Sequence, residues 1–267
     1  VSRLDRELVD RDLIASRSRA VREIAAGRVS VNGRTASKAA QNVAEADELT
    51  VSEPDPWVAR SAHKLIGALE NFSIDDCTGR TALDAGASTG GFTQVLLHEG
   101  ASQVWAVDVG HDQFDAGLRR DPRVHVREGL NLRDLESSDV PKVDLVVADV
   151  SFISLRLLLA PLLAATVPSG ELLLMVKPQF ELARSALDKH GVVTSASTRR
   201  RALDSVLAGV AEHDARVVDI AASVLPGPSG NREYFLRVRP GRSRTESDRL
   251  NEADIADQLD QIMRGEP

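Results

Sequence analysis

Ten residues, Leu83 to Phe92 (LDAGASTGGF), constrain the fold of this chain more than any others. They follow a short β-prone run from Arg80 to Leu83 and open a segment with helical spacing. Glycines at such a junction let backbone approach a ligand without Cβ clashes, and free N–H groups at a helix start can meet an anionic group. The spacing is Gly86, then Gly90 and Gly91, which is not the G-x-G-x-x-G of a dinucleotide site. It favours S-adenosylmethionine over a nicotinamide cofactor. Asp108 closes the apolar run Val104 to Val107, at a place where a carboxylate can accept hydrogen bonds from ribose hydroxyls.

From residue 80 onward strand-like and helix-like segments alternate. Strands are expected at 80–84, 103–108, 124–128, 143–149, 171–176, 216–223 and 233–239, and helices at 91–99, 155–167 and 197–213. Alternation on this scale predicts an α/β fold with a mostly parallel, helix-covered sheet, whose ligands sit at the carboxyl ends of strands. Asp84, Asp108, Asp149 and Lys177 all fall at or just beyond such ends. A helix with Ala62, Leu65, Ile66 and Leu69 on its apolar side precedes the sheet, and its wheel places Lys64 nearly opposite, as a surface lysine. Lys177, after the apolar run LLLMV and before Pro178, is expected in a partly desolvated place. Glu233 follows the loop GPSGNR. Read singly, each of these side chains is more often an ordinary surface or packing residue.

The first fifty-odd residues read as a separate module. Ser16 is the expected N-cap of a helix from Arg17 to Ala26, ended by Gly27. Val29-Ser30-Val31 then leads into the two-residue turn Asn32-Gly33, and a further strand spans Glu48 to Val51. Between residues 3 and 38 there are nine basic side chains against five acidic ones, although the whole chain carries −7. Any polyanion site is therefore a local patch. The expected boundaries are a first domain at 1–53, a linker at 54–60 containing Pro54, Pro56 and Trp57, a large domain at 61–240, and a tail at 241–267. Trp57 can pack against either domain. A short helix, Glu252 to Met263, is expected in the tail, with Ile255, Leu259 and Ile262 on one side.

The chain has 267 residues, 42% hydrophobic and 27% charged, enough for a full core. Its longest apolar stretch, Leu157 to Val167, is far short of the roughly 20 residues of a membrane span. It reads as a buried helix. The single Cys77 leaves no internal disulfide and no cysteine-cluster zinc site. The charged N-terminus lacks a cleavable signal pattern, so a cytoplasmic protein is expected; a monomer that needs no metal is expected as well.

Residues 3 to 33, with the Arg-Leu-Asp opening, the Ser-Arg pair and the Val-Asn-Gly hairpin, resemble the RNA-binding module named after small-subunit ribosomal protein four, the S4 domain. Asp12 departs from a glycine usual there. This likeness implies contacts to structured RNA by Arg3, Arg6, Arg17, Arg19, Arg22 and Lys38, with Arg60 and Arg133 adding basic groups in the large domain. Lys64, Asp149, Lys177 and Glu233 resemble the Lys-Asp-Lys-Glu tetrad of FtsJ-like ribose 2′-O-methyltransferases. The segments ARSAHKL, LDAGASTGGFT, DLVVADVSFISL, VKPQFE and LPGPSGNREYF extend the likeness across most of the chain to the TlyA family of ribosomal RNA cytidine 2′-O-methyltransferases.

What this resemblance implies is a Rossmann-like methyltransferase domain behind an α+β S4 domain, acting on ribosomal RNA or ribosomal subunits. Asp84, Gly86, Ser88, Gly90, Gly91 and Phe92 would surround S-adenosylmethionine, with Asp108 on its ribose, Asn131 near adenine, and Asp149 between cofactor and catalytic lysine. The family methylates large-subunit RNA; a subgroup with a longer C-terminal helix also methylates the small subunit, which the tail here favours. Two other readings stand beside this one. Family members are often labelled haemolysins, which would mean a membrane-active protein, and an RNA-binding protein with a catalytically silent methyltransferase fold is the third.

Overall fold

The computed structural model describes residues 2–52, 56–74, 76–241 and 252–264. Pro54 and Asp55 of the expected linker, and 242–251 and 265–267 of the expected tail, lie outside the described residues. The chain forms two compact units, Val1–Pro56 and Trp57–Pro267.

The small unit runs β1 (Ser2–Arg3), α1 (Leu4–Asp10), α2 (Arg17–Ala25), β2 (Val29–Val31), β3 (Arg34–Thr35), β4 (Asn42–Val43) and β5 (Leu49–Val51). Ser16 caps α2 by accepting from the Arg19 amide at 3.4 Å, satisfying one of the orphan donors of the first turn. Asn32 and Gly33 have φ of 50° and 74°, as a primed two-residue turn requires, and they join β2 to β3. β3, β2 and β5 form one antiparallel sheet, and β1 pairs with β4 in a second. Leu4, Leu8, Ala20, Ile24, Val29 and Val43 fill the core between helices and strands.

The large unit contains α3 (Ser61–Asn71), β6 (Thr81–Ala85), α4 (Gly91–His98), β7 (Gln103–Asp108), β8 (Val124–Glu128), β9 (Val143–Ala148), α5 (Leu159–Ala165), β10 (Thr166–Val176), α6 (Pro178–Glu181), α7 (Ala196–Glu212), β11 (Ala215–Ala222), β12 (Tyr234–Pro240) and α8 (Glu252–Arg264). Its seven strands are ordered β11-β12-β10-β9-β6-β7-β8, and β12 alone runs antiparallel to its neighbours. Strand residues alternate between two apolar layers. Leu172, Leu174 and Val176 of β10 join one layer, and Leu173 and Met175 join the other. This period of two is what a sheet buried on both faces demands. Because β6 lies between β9 and β7, the strand order reverses there, and the carboxyl ends of β6 and β9 diverge into a crevice.

Two expectations need correction. The helix read at 155–167 is a 3-10 turn at Leu155–Leu157 followed by α5, and chain from Thr166 onward is already strand. Thr166 pairs with Val143, and a register shift absorbs Pro168-Ser169-Gly170 before regular pairing resumes at Glu171. The β-branched pair Thr166-Val167 and the proline that follows favour extended chain over another helical turn. Lys64 is the second correction, because it is buried at 5% exposure and not on the surface. Trp57 packs within the large unit, edge-on to His98 with ring centroids 5.5 Å apart. In the tail, Ile255 and Leu259 of α8 are buried against the layer that contains Val210 and Ile220.

Candidate active site

Sheet register gathers three of the four tetrad residues. Val176 of β10 pairs with Tyr234 of β12, so Lys177 and Glu233 are the next positions on adjacent strands. On the other side Leu174 pairs with Ala148, which puts Asp149 at the neighbouring strand end. Lys177 Nζ lies 2.6 Å from Asp149 Oδ1 and donates to Ser151 Oγ at 2.8 Å. Lys64 reaches from α3 and donates to Glu233 Oε2 at 2.5 Å, with side-chain exposures of 6% and 1%. A lysine can be buried there because a carboxylate at hydrogen-bond distance offsets the loss of water. The tetrad is therefore two ion pairs, one wholly buried and one at the crevice.

Asp149 and Lys177 line a cavity of about 220 Å³ together with Asp84, Gly86, Ser88 and Ser151. A second cavity, of about 550 Å³, shares Gly86, Ser88, Asp149 and Ser151 and adds Asp108, Leu130, Asn131 and Ile153. Asp84 is 1% exposed; its Oδ2 accepts from Thr93 Oγ1 at 2.7 Å, and its Oδ1 has no hydrogen-bond partner among the described residues. Burial pushes its carboxyl up to about 7, against the downward pull of the Thr93 bonds, and the negative charges of Asp149 and Asp108 add to the rise. Asp108 holds the loops around it: Oδ2 accepts from the Ser88 amide at 2.8 Å and Oδ1 from the Gly110 amide at 2.7 Å. Asn131 is exposed at the mouth and accepts from the Arg133 amide at 3.1 Å.

The glycines divide by task. Gly86 has φ of 87°, and a Cβ there would stand 2.9 Å from the Asp149 carbonyl, so it lets β6 and β9 part closely around the cavity. Gly90, at φ 96°, and Gly91 line neither cavity. A Cβ on Gly91 would meet Ser61 Oγ at 2.5 Å and Ala59 Cβ at 3.1 Å, so this glycine brings the start of α3 against α4. Phe92 lines the smaller cavity but is 3% exposed, with its ring stacked on Phe235.

Side chains that sequence reasoning passed over also shape the crevice. Ser151 borders both cavities. Phe152 is 91% exposed in the left-handed region at φ 65°, and its ring lies 5.1 Å from Phe180. Glu181 holds this loop by accepting from Ser154 Oγ at 2.5 Å and the Leu155 amide at 2.8 Å, and burial raises its carboxyl above the usual range. A large aromatic following Asp-Val-Ser is the signal that could have drawn attention to Phe152.

Of the basic residues assigned to RNA, several are already committed. Arg3 and Arg17 both bond to Asp5, which is 2% exposed and whose carboxyl these guanidiniums hold well below the usual range. Arg6 pairs with Asp10 at 3.3 Å and Arg19 with Glu23 at 3.8 Å. Arg22 and Lys38 are exposed and carry no ion pair among the described residues. In the large unit Arg60 donates to the Pro226 carbonyl at 2.8 Å, and Arg133 borders the opening that holds Phe152 and Phe180.

The family model described as FtsJ-like methyltransferase matches residues 57–239, and the S4 domain model matches residues 2–49. The chain is 46% identical over 241 residues to the 16S/23S rRNA (cytidine-2′-O)-methyltransferase TlyA of Mycobacterium tuberculosis, covering 89% of this chain and 90% of that protein. It is 35% identical to Hemolysin A of Brachyspira hyodysenteriae, over 87% of this chain and 98% of the relative. A solved structure from Streptococcus thermophilus that carries a hemolysin name superposes with a TM-score of 0.72 at 32% identity, covering 98% of this chain and 96% of the other. No helix among the described residues is long and apolar enough to cross a membrane. An S4 domain ahead of a tetrad-bearing seven-stranded sheet, together with identity along nearly the whole length, places this chain in the TlyA family of FtsJ-like methyltransferases.

Proposed function

We propose that this protein transfers a methyl group from S-adenosylmethionine to the 2′-hydroxyl of a cytidine in ribosomal RNA, in the large subunit and also in the small. The observation that carries this reading is the Lys177–Asp149 pair at the junction of the two cavities, backed by the buried Lys64–Glu233 pair. The crevice suits the cofactor. Asp84 offers an unpartnered buried oxygen to a cationic amino group, Asp108 a carboxylate to ribose hydroxyls, and Leu130, Ile153 and Asn131 an apolar slot with a polar rim for a purine. When bound, S-adenosylmethionine supplies a methyl group already activated on a sulfonium.

A ribose hydroxyl is a weak acid, so the protein has to orient it and receive its proton. Lys177 Nζ, as the neutral amine left once its own proton has passed to solvent, is the group placed to take that proton, and Asp149 stabilises the positive charge it brings. Lys64 adds a second positive charge beside the sheet end, oriented by Glu233. Phe152 offers a stacking face for an unstacked base beside Phe180, consistent with enzymes that extrude the nucleotide they modify. Exposed Arg22, Arg34 and Lys38 of the S4 domain supply basic groups for RNA, and the ribosomal substrate puts the reaction in the cytoplasm.

Purified protein, labelled cofactor and ribosomal subunits test this reading, with 2′-O-methylated positions mapped in both RNAs. Lys177→Ala is expected to abolish transfer while cofactor affinity stays within about threefold; full activity in that variant overturns the assignment. The hemolysin names among the relatives motivate one control: lysis of liposomes that persists in Lys177→Ala would favour a membrane-active protein.

A further inference from the structure

Lys177 has two oxygen neighbours, and only one of them belongs to the tetrad. Just beyond β9, Asp149 and Ser151 both border the cavities while Val150, 7% exposed, packs into the apolar layer below. Extending the register Leu174–Ala148 by three positions sets Ser151 beside Lys177. Phe152, at φ 65°, then turns the chain away. The serine hydroxyl is left on the wall common to both cavities, accepting from Nζ at 2.8 Å while Asp149 stands 2.6 Å from the same nitrogen.

We propose that Ser151 is a positioning residue for methyl transfer: its hydroxyl fixes the direction of the Lys177 amine toward the ribose 2′-oxygen. This rests on the function proposed above. A lysine amine turns freely about its last bond, and one carboxylate contact does not fix where its remaining positions point. The serine hydroxyl supplies the directional contact: Asp149 Oδ1 stands 2.6 Å from Nζ as an ion-pair neighbour without a hydrogen bond, whereas Ser151 Oγ accepts from Nζ at 2.8 Å on the wall of the cavity where the acceptor hydroxyl has to lie. As the new O–C bond forms, the methyl group's bond to sulfur breaks with its electron pair staying on sulfur, the 2′-proton moves to the neutral Nζ amine, and the resulting ammonium keeps both oxygen neighbours. Neither Asp149 nor Ser151 changes protonation state. Ser151 is exposed and lies beyond the end of β9, and Lys177 keeps Asp149 as its counter-charge, so removing the hydroxyl leaves the sheet intact.

The test compares Ser151→Ala and Ser151→Thr with the unaltered protein. In Ser151→Ala, kcat is expected to fall about 10- to 100-fold, the loss of one hydrogen bond to a charged group. KM for the ribosomal subunit and the cofactor Kd should stay within about threefold, and Ser151→Thr, which restores the hydroxyl, should recover most of the rate. Unchanged kcat in Ser151→Ala overturns the inference, as does a raised KM with kcat intact, which would make Ser151 an RNA contact. A second measurement needs no turnover: the ¹⁵N resonance of Lys177 Nζ, assigned by its disappearance in Lys177→Ala. Its hydrogens should exchange severalfold faster in Ser151→Ala, and equal exchange refutes the proposal. If the unaltered protein methylates no ribose, the function proposed above fails and the exchange measurement alone decides the role of Ser151.

Discussion

Lys64 and Glu233 are buried at 6% and 1% side-chain exposure and have each other as counter-charge, so removing one strands the other. Lys64→Met or Glu233→Leu alone should cost about 3–5 kcal/mol in denaturant unfolding, whereas the double substitution should recover much of that loss, because two apolar side chains replace a desolvated pair. Methyl transfer should stay abolished in the double variant; recovered activity would show that the pair serves only packing. Asp84 gives a pH test. Its carboxyl is raised to about 7 in the folded protein, so the folded state binds the proton more tightly than the unfolded one. Its contribution to stability is then fully present below the ordinary carboxylate range and is lost as pH rises through about 7. Without cofactor, Asp84→Asn should be more stable than the parent at pH 8, by up to about 4 kcal/mol, with the difference shrinking toward pH 4. Its cofactor affinity should drop. Sequence made these residue types legible as a group but misjudged the setting of Lys64, because the helical wheel puts it nearly opposite the apolar positions of α3 and the carboxylate that permits burial is 169 residues away.

At the scale of elements, the loop from Leu83 to Phe92 was legible as a strand-to-helix junction, and its glycines separate by what a methyl group would strike. Gly86→Ala combines a left-handed φ of 87° with a backbone carbonyl 2.9 Å from the new Cβ, so neither rotation nor a side-chain shift relieves it. We expect cofactor binding to be lost with the cavity wall, read by titration calorimetry. Gly91→Ala has the α-carbon of a regular helix and presses on Ser61 and Ala59; it should lower stability by about 1–3 kcal/mol while leaving the cavity lining in place. Similar cofactor affinities in the two variants would contradict this division. The alternation of Leu172 to Val176 between two apolar layers explains why the central strands could be read from sequence. Leu157 to Val167 carried no such period, so a continuous apolar run was compatible with helix throughout, and only the pairing of Thr166 with Val143 decides where the strand begins. β1 and β4, two residues each, are too short for any pattern and exist because their chains meet.

For the molecule as a whole, a net charge of −7 conceals a basic stretch, residues 3–38 with nine basic and five acidic side chains, and sequence counts its charges without showing how they pair. Arg11 illustrates the difference: it bonds to Glu7 at 2.8 Å and to the carbonyls of Asp47, Ala44 and Glu45, tying α1 to the turn before β5. Arg3 and Arg17 are fixed by Asp5 in a similar way. Arginines so engaged hold the unit together, and their loss should appear first in its stability. Arg22, Arg34 and Lys38 are exposed and carry no ion pair among the described residues, so they are the side chains whose charge is available to phosphate. Each phosphate contact releases counterions and steepens the dependence of affinity on salt. Replacing these three with alanine should therefore weaken binding to ribosomal subunits and reduce the slope of log K against log salt by about 2–3, while the melting temperature stays near that of the parent. Arg11→Ala should do the reverse, lowering the melting temperature and leaving the slope nearly unchanged among molecules that remain folded. A triple variant with an unaltered slope would move the RNA surface away from these three residues, and a large slope change in Arg11→Ala would mean that the paired arginines exchange their carboxylates for phosphate on binding.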